Sequence, residues 1–600
     1  MSPVTRRRLA VLVAGVMLAL VAGPLKLLGD YVQFIVASAA FFFIAVLAVN
    51  LLAGLCGIWS LGHTAYIALG AYMAANLAKF GVPLEAIVLV AAAACAVVGF
   101  ILGLSAGRFS VLYFGLLTMA LALVTTEVIS HWVAVTGGDD GMKVAKPVSL
   151  LAGGQVIDSG NRVVICVALA TLAYLIGDAV ASGRLGQRWL AVKGQRTAAM
   201  AIGLKPHVEN ASAFALSAAM ASMSGVAMAF ALSFIDPIAF SLDASVTLIV
   251  GTVVGGIGSS LGAVAGAAFI TAVPELARDA LAVSNFVYGG AMIGVLLFLR
   301  TGVVPALAAA LRRRRDGSSP ARSAQRQAVD ATAMATLVAR LMPRATETLS
   351  LRHVSLQFSG LKAIDDVSFE LPAGQTLGLI GPNGAGKTSL LNVLSGFYKP
   401  TVGTQVMLGA LDVLATTPSG RAGIGLGRTF QHAELYPELS VREMLVMVAG
   451  LARAWRRHKG LALHEPEAVA ELILDGLALR PYADSLPAEL PFGIQKVADV
   501  GRVLAGGASV VSLDEPFSGL DAHERSELRA ILQGLQRAGV SILIIDHAVQ
   551  EVLDLANQVV VLDFGRLLAS GEPAEIRRNP EVMRAYFGSA EHLAKGAVHA

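Results

Sequence analysis

Charge is what the first half of this chain lacks. Asp, Glu, Lys and Arg make up 15% of its 600 residues, and 55% are hydrophobic. An ordinary soluble domain carries about 25% charged residues. The deficit is local: long apolar runs fill the chain to about residue 305, and charges recur every few residues only from about 345. The first stretch belongs in a membrane and the second in water. Cysteine is scarce too. Cys56, Cys95 and Cys166 all lie in apolar runs without metal-ligand spacing, so neither a disulfide framework nor a thiolate metal site is expected. A strong charge imbalance is also missing. The formal net charge of +4 is small for this length and gives no reason to expect a nucleic-acid partner. Positive charge is clustered instead, at Arg6, Arg7 and Arg8 and at Arg312–Arg315.

What is present is a series of membrane-length runs. The first follows Arg8 and continues to Leu28, longer than the about 7–15 residues of a signal-peptide core, so it is read as a span. A crossing helix needs about 20 apolar residues. Candidates cover 9–28, 33–55, 58–79, 86–106, 111–132, 163–181, 208–232 and 284–300. The run 243–275 is interrupted by GGIGSSLG at 255–262, which reads as two short tilted helices or a re-entrant hairpin. Lys and Arg mark the cytoplasmic side. With Arg6–Arg8 and Arg312–Arg315 both inside, the number of crossings is even, eight or ten. The basic loop 182–207 is then cytoplasmic, and the loop 133–162, with TGGDDGM and Asp158, lies outside. Gly and Ala are abundant in the spans, where small residues let helices approach closely. Three ionisable residues stand out: His63, Glu127 and Asp243. Such groups at membrane depth are costly and often functional, which makes His63 and Glu127 candidates for a solute route. The alternative is a place near an interface, or a bond to a neighbouring helix backbone.

The expected organisation is a membrane domain over 1–305, an Arg-, Ser- and Ala-rich linker over 306–346, and a soluble domain over 347–600. The soluble part opens on a buried strand ending at Ile380. GPNGAGKTS follows and matches GxxxxGK plus Ser or Thr in full. Gly381, Pro382, Asn383, Gly384, Ala385 and Gly386 form a loop whose backbone N–H groups close around phosphates. Lys387 reaches the terminal phosphates, and Thr388, next to Ser389, offers its hydroxyl to Mg²⁺. The helix that follows adds its N-terminal dipole. VVSLDEP at 510–516 reads as a strand ending in Asp514, which would hold the metal, and Glu515, placed to polarise an attacking water. ATP and Mg²⁺ are the cofactors these motifs imply.

With those motifs, residues 349 to 590 resemble the nucleotide-binding domain of ABC transporters. The resemblance implies roles for further residues. Phe358 would stack on adenine. Gln431 in GRTFQHAELYPEL would sense Mg²⁺ and touch the membrane partner. Leu490, Pro491, Phe492, Gly493, Ile494 and Gln495 stand at the signature that acts on a partner's ATP. Asp521 ends the D-loop, and His547 would contact the γ-phosphate. The signature departs from LSGGQ: Pro491 replaces Ser, Phe492 the first Gly and Ile494 the Gln. Pro before an aromatic is similar to strings of the branched-chain amino acid branch, as are FSGLKAIDDVSFEL and EPAEIRRNPEVMRAYFG. NLLAGLCGIWSLGHTAYIALGAYMAA, TGGDDGM, GQRWLAVKGQRTAAMAIGL and GGIGSSLGAVAGAAF are similar to the LivM-type permeases of that branch. In that resemblance 187–206 is the segment that couples permease to motor. Ala198, Ala199 and Gly203 are as in the family, and Arg196 stands where Glu is common.

The chain is thus identified as a fusion of a LivM-type permease with a LivG-type ATP-binding subunit: a polytopic α-helical membrane domain of 8–10 spans, then an α/β P-loop NTPase domain of the ABC type. The resemblance implies ATP-driven import across the inner, or plasma, membrane with the ATPase on the cytoplasmic side. It implies as partners the bilayer, a second permease, a second ATPase and a periplasmic solute-binding protein, unless the chain pairs with itself. Branched-chain amino acids lead as solutes, with urea, short amides and aromatic acids open. An ABC exporter half and a membrane-anchored regulatory ATPase are the readings from other classes.

Overall fold

A computed structural model describes residues 3–22, 29–107, 109, 111–151, 153–157, 161–276, 289–290, 293–294, 297, 302–307, 336–337, 339, 341, 347–358, 360–458 and 464–587. Most of the span expected at 284–300, most of the linker 306–346, Asp158 and Arg312–Arg315 lie outside them. The chain forms two compact units, Met1–Lys193 with Pro206–Pro320, and Gly194–Lys205 with Ala321–Ala600. The segment 194–205 is thus grouped with the ATPase unit.

The first unit is helical. Among the described residues, five helices are long and apolar enough to cross a membrane: Asp30–Cys56, Leu84–Ser105, Leu112–His131, Arg162–Ala181 and Pro206–Leu232. Pro3–Ala22, with its three arginines, is a sixth helix of 20 residues. The helix expected from 58 begins at His63 and has 17 residues. The difference comes from Gly57, whose left-handed φ of 69° ends the preceding helix. Side chains satisfy the irregular turn that follows: the Leu61 amide donates to Thr118 Oγ1 at 3.1 Å and the Gly62 amide to Ser60 Oγ at 3.2 Å. Pro206–Leu232 is central, packing on Leu84–Ser105, His63–Lys79 and Asp30–Cys56. Small residues allow this. A Cβ at Gly225 would collide with the Ile67 carbonyl, and one at Gly70 with the Ser222 carbonyl.

The interrupted run becomes two helices packed on each other, Leu242–Gly255 and Ser260–Leu276. At 1.5 Å per residue they measure about 21 and 25 Å, short of a hydrocarbon core of about 30 Å. Asn50, inside Asp30–Cys56 and 2% exposed, holds the turn between them. Its Nδ2 donates to Gly256 O at 3.0 Å, and its Oδ1 accepts from the Gly258 amide at 2.7 Å. One buried amide satisfies both free backbone groups, as hydrocarbon surroundings require. The expected outer loop holds a small antiparallel pairing, Met142–Lys143 with Phe234–Ile235.

The ATPase unit has two sheets. β1 (Leu349–Phe358), β2 (Leu361–Leu371), β4 (Gln405–Leu408) and β5 (Leu411–Asp412) form an antiparallel sheet in the order β2-β1-β4-β5. The other sheet comprises β3 (Thr376–Ile380), β6 (Leu426–Arg428), β7 (Val510–Asp514), β8 (Ser541–Ile545), β9 (Gln558–Asp563) and β10 (Arg566–Gly571), in the order β6-β7-β8-β3-β9-β10. All its pairings are parallel except β9-β10. β3, β7 and β8 are buried along their whole length, so they read as continuous apolar runs rather than alternating ones. In register, Asp514 sits opposite Ile545, which sits opposite Leu379. The carboxyl ends of three neighbouring strands therefore open at one level, the usual place for a ligand in such sheets.

Candidate functional site

At the end of β3 the chain turns through residues 381–386 and enters the helix Lys387–Ser395. Gly384 and Gly386 adopt φ of +81° and +94°, which side-chain-bearing residues avoid. Gly386 also passes so close to Ala363 O that a Cβ would lie 2.5 Å from it. Asn383 to Ser389, Glu515 and His547 line a cavity of about 690 Å³, together with Lys362, Asp365 and Arg566. Lys387 Nζ donates to the carbonyls of Gly381 and Pro382 at 2.6 and 2.9 Å. Burial pushes its ammonium down from the ordinary lysine range, and the Glu515 and Asp514 carboxylates oppose that. A phosphate in the loop would do the same more strongly.

Glu515 follows β7 with a left-handed φ of +48°, a conformation costing about 1–3 kcal/mol that persists where surroundings enforce it. Its amide donates to Ile545 O at 2.7 Å. Its carboxylate is spanned from two sides: Gln431 Nε2 lies 2.8 Å from Oε2, and His547 Nε2 lies 2.9 Å from Oε1. Three residues far apart in sequence thus meet in one row, Gln431 through a hydrogen bond and His547 through a close approach to the carboxylate. Asp514 is 5% exposed, and its Oδ2 accepts from Arg428 Nη2 at 2.9 Å. Among the described residues no group of three His, Cys, Asp or Glu side chains is set to hold a metal ion. Asp514, Thr388 and Gln431 supply oxygen donors only. That set suits Mg²⁺, which is held by one or two carboxylates plus substrate phosphates. Bound there, Mg²⁺ would neutralise phosphate charge.

The other expected residues do not line this cavity. Phe358 is 42% exposed and packs edge-to-face on Tyr398, ring centroids 5.0 Å apart; it does not line the cavity. Pro491 caps the helix Phe492–Ala505. Gly493 donates its amide to Glu524 Oε1 at 3.2 Å, and Ile494 is buried. Gln495 turns back, its Nε2 donating to Leu490 O at 3.0 Å and Pro487 O at 3.2 Å. Leu490 is buried and Phe492 is 42% exposed. Asp521 caps the helix Ala522–Arg537, accepting from the Glu524 amide at 2.8 Å. In the coupling segment, Arg196 opens the helix Arg196–Ala201, in which Ala198 and Ala199 are fully buried. Gly203, at φ +100°, brings its Cα so close that a Cβ would stand 3.2 Å from Trp455 Nε1 and 3.3 Å from Ser419 O.

Sequence reasoning missed several residues. Lys496 of the signature helix donates to Gln431 O and, at 3.1 Å, to Glu515 O. It thus fixes the backbone of two expected site residues. Burial lowers its pKa, opposed first by Asp499. Asp546 accepts the amides of Phe517 and Ala548 at 2.8 Å each. Arg428 was legible only as the Arg of GRTFQ, three residues before Gln431.

In the membrane unit the two solute-route candidates are not brought together. His63 is 1% exposed. Its Nε2 lies 2.7 Å from Ser217 Oγ, and that hydroxyl donates to Ala48 O at 2.7 Å. The Ser217 proton is therefore committed, and Nε2 carries the proton of the imidazole. Glu127 faces out of the unit, its side chain 76% exposed and 3.4 Å from His131 one turn on. Asp243 lies exposed in the first turn of Leu242–Gly255. Two buried carboxylates went unnoticed in the sequence: Asp178, held by Arg7 and Arg8, and Glu209, held by Arg188.

Comparison with known proteins agrees with both halves. Residues 31–299 match the family described as "Branched-chain amino acid transport system / permease component". Residues 364–518 match the ABC transporter family, and 566–592 match "Branched-chain amino acid ATP-binding cassette transporter". The ATP-binding protein LivG of Salmonella typhimurium, for high-affinity branched-chain amino acid transport, is 35% identical over 255 residues, 40% of this chain and 98% of that protein. The ATP-binding protein BraF of Pseudomonas aeruginosa, also for high-affinity branched-chain amino acid transport, is 32% identical over 255 residues, 40% of this chain and 98% of that protein. The lipopolysaccharide export ATP-binding protein LptB of Escherichia coli is 29% identical over 241 residues, 40% of this chain and 97% of that protein. The chain couples ATP hydrolysis to transport in a membrane, and it belongs to the branched-chain amino acid family of ABC transporters, permease and ATP-binding cassette on one polypeptide.

Proposed function

We propose that this chain is one permease and one motor of an importer that carries branched-chain amino acids across the inner membrane. The observation that carries the reading is the pairing in one chain of a branched-chain permease match over 31–299 with a complete phosphate loop beside a held glutamate. ATP binding is attributed to the 381–389 loop, and Mg²⁺ to Thr388, Asp514 and Gln431. Glu515 acts as general base toward water, its carboxylate aimed by Gln431 and His547. His547 moves to the γ-phosphate when nucleotide fills the cavity. Phe358 and Tyr398 offer an aromatic corner to adenine. Residues 490–495 and Asp521 act on the ATP of a partner subunit, and the segment with Arg196, Ala198, Ala199 and Gly203 carries the motion between motor and permease. A second permease, a second ATPase and a periplasmic solute-binding protein complete the assembly.

The test is ATP hydrolysis by the purified chain in nanodiscs, alone and then with candidate partner subunits and a solute-binding protein. Hydrolysis that rises only when the binding protein carries leucine, isoleucine or valine is the expected result. Full-rate hydrolysis by the chain alone, whatever is added, would overturn it in favour of a self-paired or exporting machine.

A further inference from the structure

The chemistry proposed above leaves a set of buried charges in the ATPase unit unused, and they converge on Arg428. This residue ends β6 and is 6% exposed. Its Nη2 donates to Asp514. Its Nη1 donates to Asn392 Oδ1 at 2.7 Å and Ser395 Oγ at 3.1 Å. Both acceptors lie in the last turn of the helix that begins at Lys387. One planar guanidinium therefore grips the acidic strand end and the far end of the phosphate-loop helix together. Burial lowers its pKa, and Asp514 is the first group to oppose that. The backbone at Arg428 is fixed separately. Arg502, fully buried, donates to Arg428 O at 2.9 Å and pairs with Asp499 at 2.8 Å, and Asp499 accepts the Phe430 amide at 3.2 Å. Strand end, the stretch toward Gln431 and signature helix are thus tied into one body.

Arg428 also borders the coupling segment. It lines two small cavities, and Ala201 lines both; Arg421 completes one and Ile202 the other. Arg421 comes from the short helix Pro418–Gly423, which packs on Arg196–Ala201. Its Nη1 donates to the carbonyls of Val393 and Leu394, placing a cation at the negative end of the phosphate-loop helix. Arg428 Nε is buried without a hydrogen-bond partner, so the guanidinium has a spare donor for a second arrangement.

We propose that Arg428 is the positioning residue through which the coupling segment, residues 194–205, sets the Asp514 carboxylate and the phosphate-loop helix for hydrolysis. The proposal rests on the reading of the chain as a transport ATPase. A buried carboxylate is costly without a partner, and Arg428 supplies one at a single oxygen, Oδ2. The other oxygen is left to the metal side. Because the guanidinium is a rigid fork, a tilt imposed from the Ala201 side is felt at Asp514, Asn392 and Ser395 at once, which a lysine ammonium would not reproduce.

The test uses the assembled transporter in nanodiscs with its liganded binding protein. Three quantities are read: affinity for a fluorescent ATP analogue, maximal hydrolysis rate, and the Mg²⁺ concentration for half-maximal rate. Supporting groups behind a metal site typically change metal affinity or activity by about 10–100-fold. Arg428→Gln is expected to keep nucleotide affinity, lower the rate by about that factor and raise the Mg²⁺ midpoint, with Arg428→Lys in between. Ala201→Met, which touches no nucleotide group, is expected to shift the Mg²⁺ midpoint and the stimulation by binding protein at unchanged nucleotide affinity. A wild-type rate and midpoint in Arg428→Gln would overturn the proposal. So would wild-type midpoint and stimulation in Ala201→Met, which decides alone if the first variant does not assemble. A wild-type assembly that hydrolyses no ATP would instead overturn the transport-ATPase reading.

Discussion

The two units bury polar groups in opposite ways. In the membrane unit several buried polar side chains are matched locally, in small separate sets. Asn50 holds one turn, Ser217 holds His63 and the Ala48 carbonyl, Thr64 meets Ser245, and Ser224 caps the Phe41 carbonyl. In the ATPase unit, buried charges converge: Lys387, Asp514, Arg428, Lys496, Asp499, Arg502 and Asp546 all serve the carboxyl end of one sheet. Where no water reaches, a polar side chain is chiefly a partner for backbone. Where a cavity opens to water beside a strand edge, the same expense places charge for action on a ligand.

The comparison predicts its largest effect at Glu515. Glu515→Gln keeps the shape and both flanking neighbours but removes the base. Base removal costs about 10²–10⁴-fold in rate. The variant is expected to bind ATP as tightly as wild type and to hydrolyse it slower by that factor, measured by single-turnover phosphate release. Near-native hydrolysis would mean that the glutamate is held by Gln431 and His547 for packing, and the contrast between the units would collapse.

How much of this was legible in the sequence follows the same divide. Lys387, Thr388, Asp514 and Glu515 were legible because the phosphate loop and the acidic strand end are local strings in a strand–turn–helix context. The order of the strands, and hence the meeting of Glu515 with Gln431 and His547, is a long-range fact that no local string carries. Arg428 and Lys496 were missed because a single basic residue in a strand or helix has no periodic signature. Its partners, Asp514 for one and the backbone of Gln431 and Glu515 for the other, lie far away in sequence. In the membrane unit hydropathy located the helices but not their ends. The start at His63 depends on the Gly57 cap and on Thr118 reaching back to Leu61. Asn50 went unseen because an amide within a helix of 27 residues looks like tolerated polarity until the turn at 256–258 is placed against it.

A middle-sized effect is expected at that amide. Asn50→Leu keeps the branched outline of the side chain and leaves Gly256 O and Gly258 N–H without partners in an apolar setting. An orphaned buried backbone group costs about 1–3 kcal/mol. Thermal unfolding of the detergent-solubilised chain should show the membrane transition lowered, with nucleotide affinity of the ATPase unit unchanged. An unchanged transition would mean that the turn finds other partners, and that membrane-unit polar groups are not backbone partners after all.

The smallest effect is expected at Glu127, and it sharpens the comparison most. Its side chain is 76% exposed and its neighbour His131 lies one turn away on the same helix face. An exposed pair at that spacing contributes about 0.3–0.5 kcal/mol, and a surface substitution away from special features changes stability by no more than about 0.5 kcal/mol. Glu127→Gln should therefore leave unfolding and solute uptake in reconstituted vesicles as in wild type. His63→Ala, which orphans the Ser217 side of a buried pair, should lower stability measurably. A several-fold fall in uptake for Glu127→Gln at unchanged stability would show that the outer face of this helix is covered in the assembly and borders the solute route. A charge that lies exposed on one chain would then be the functional one, and the buried imidazole only part of the packing.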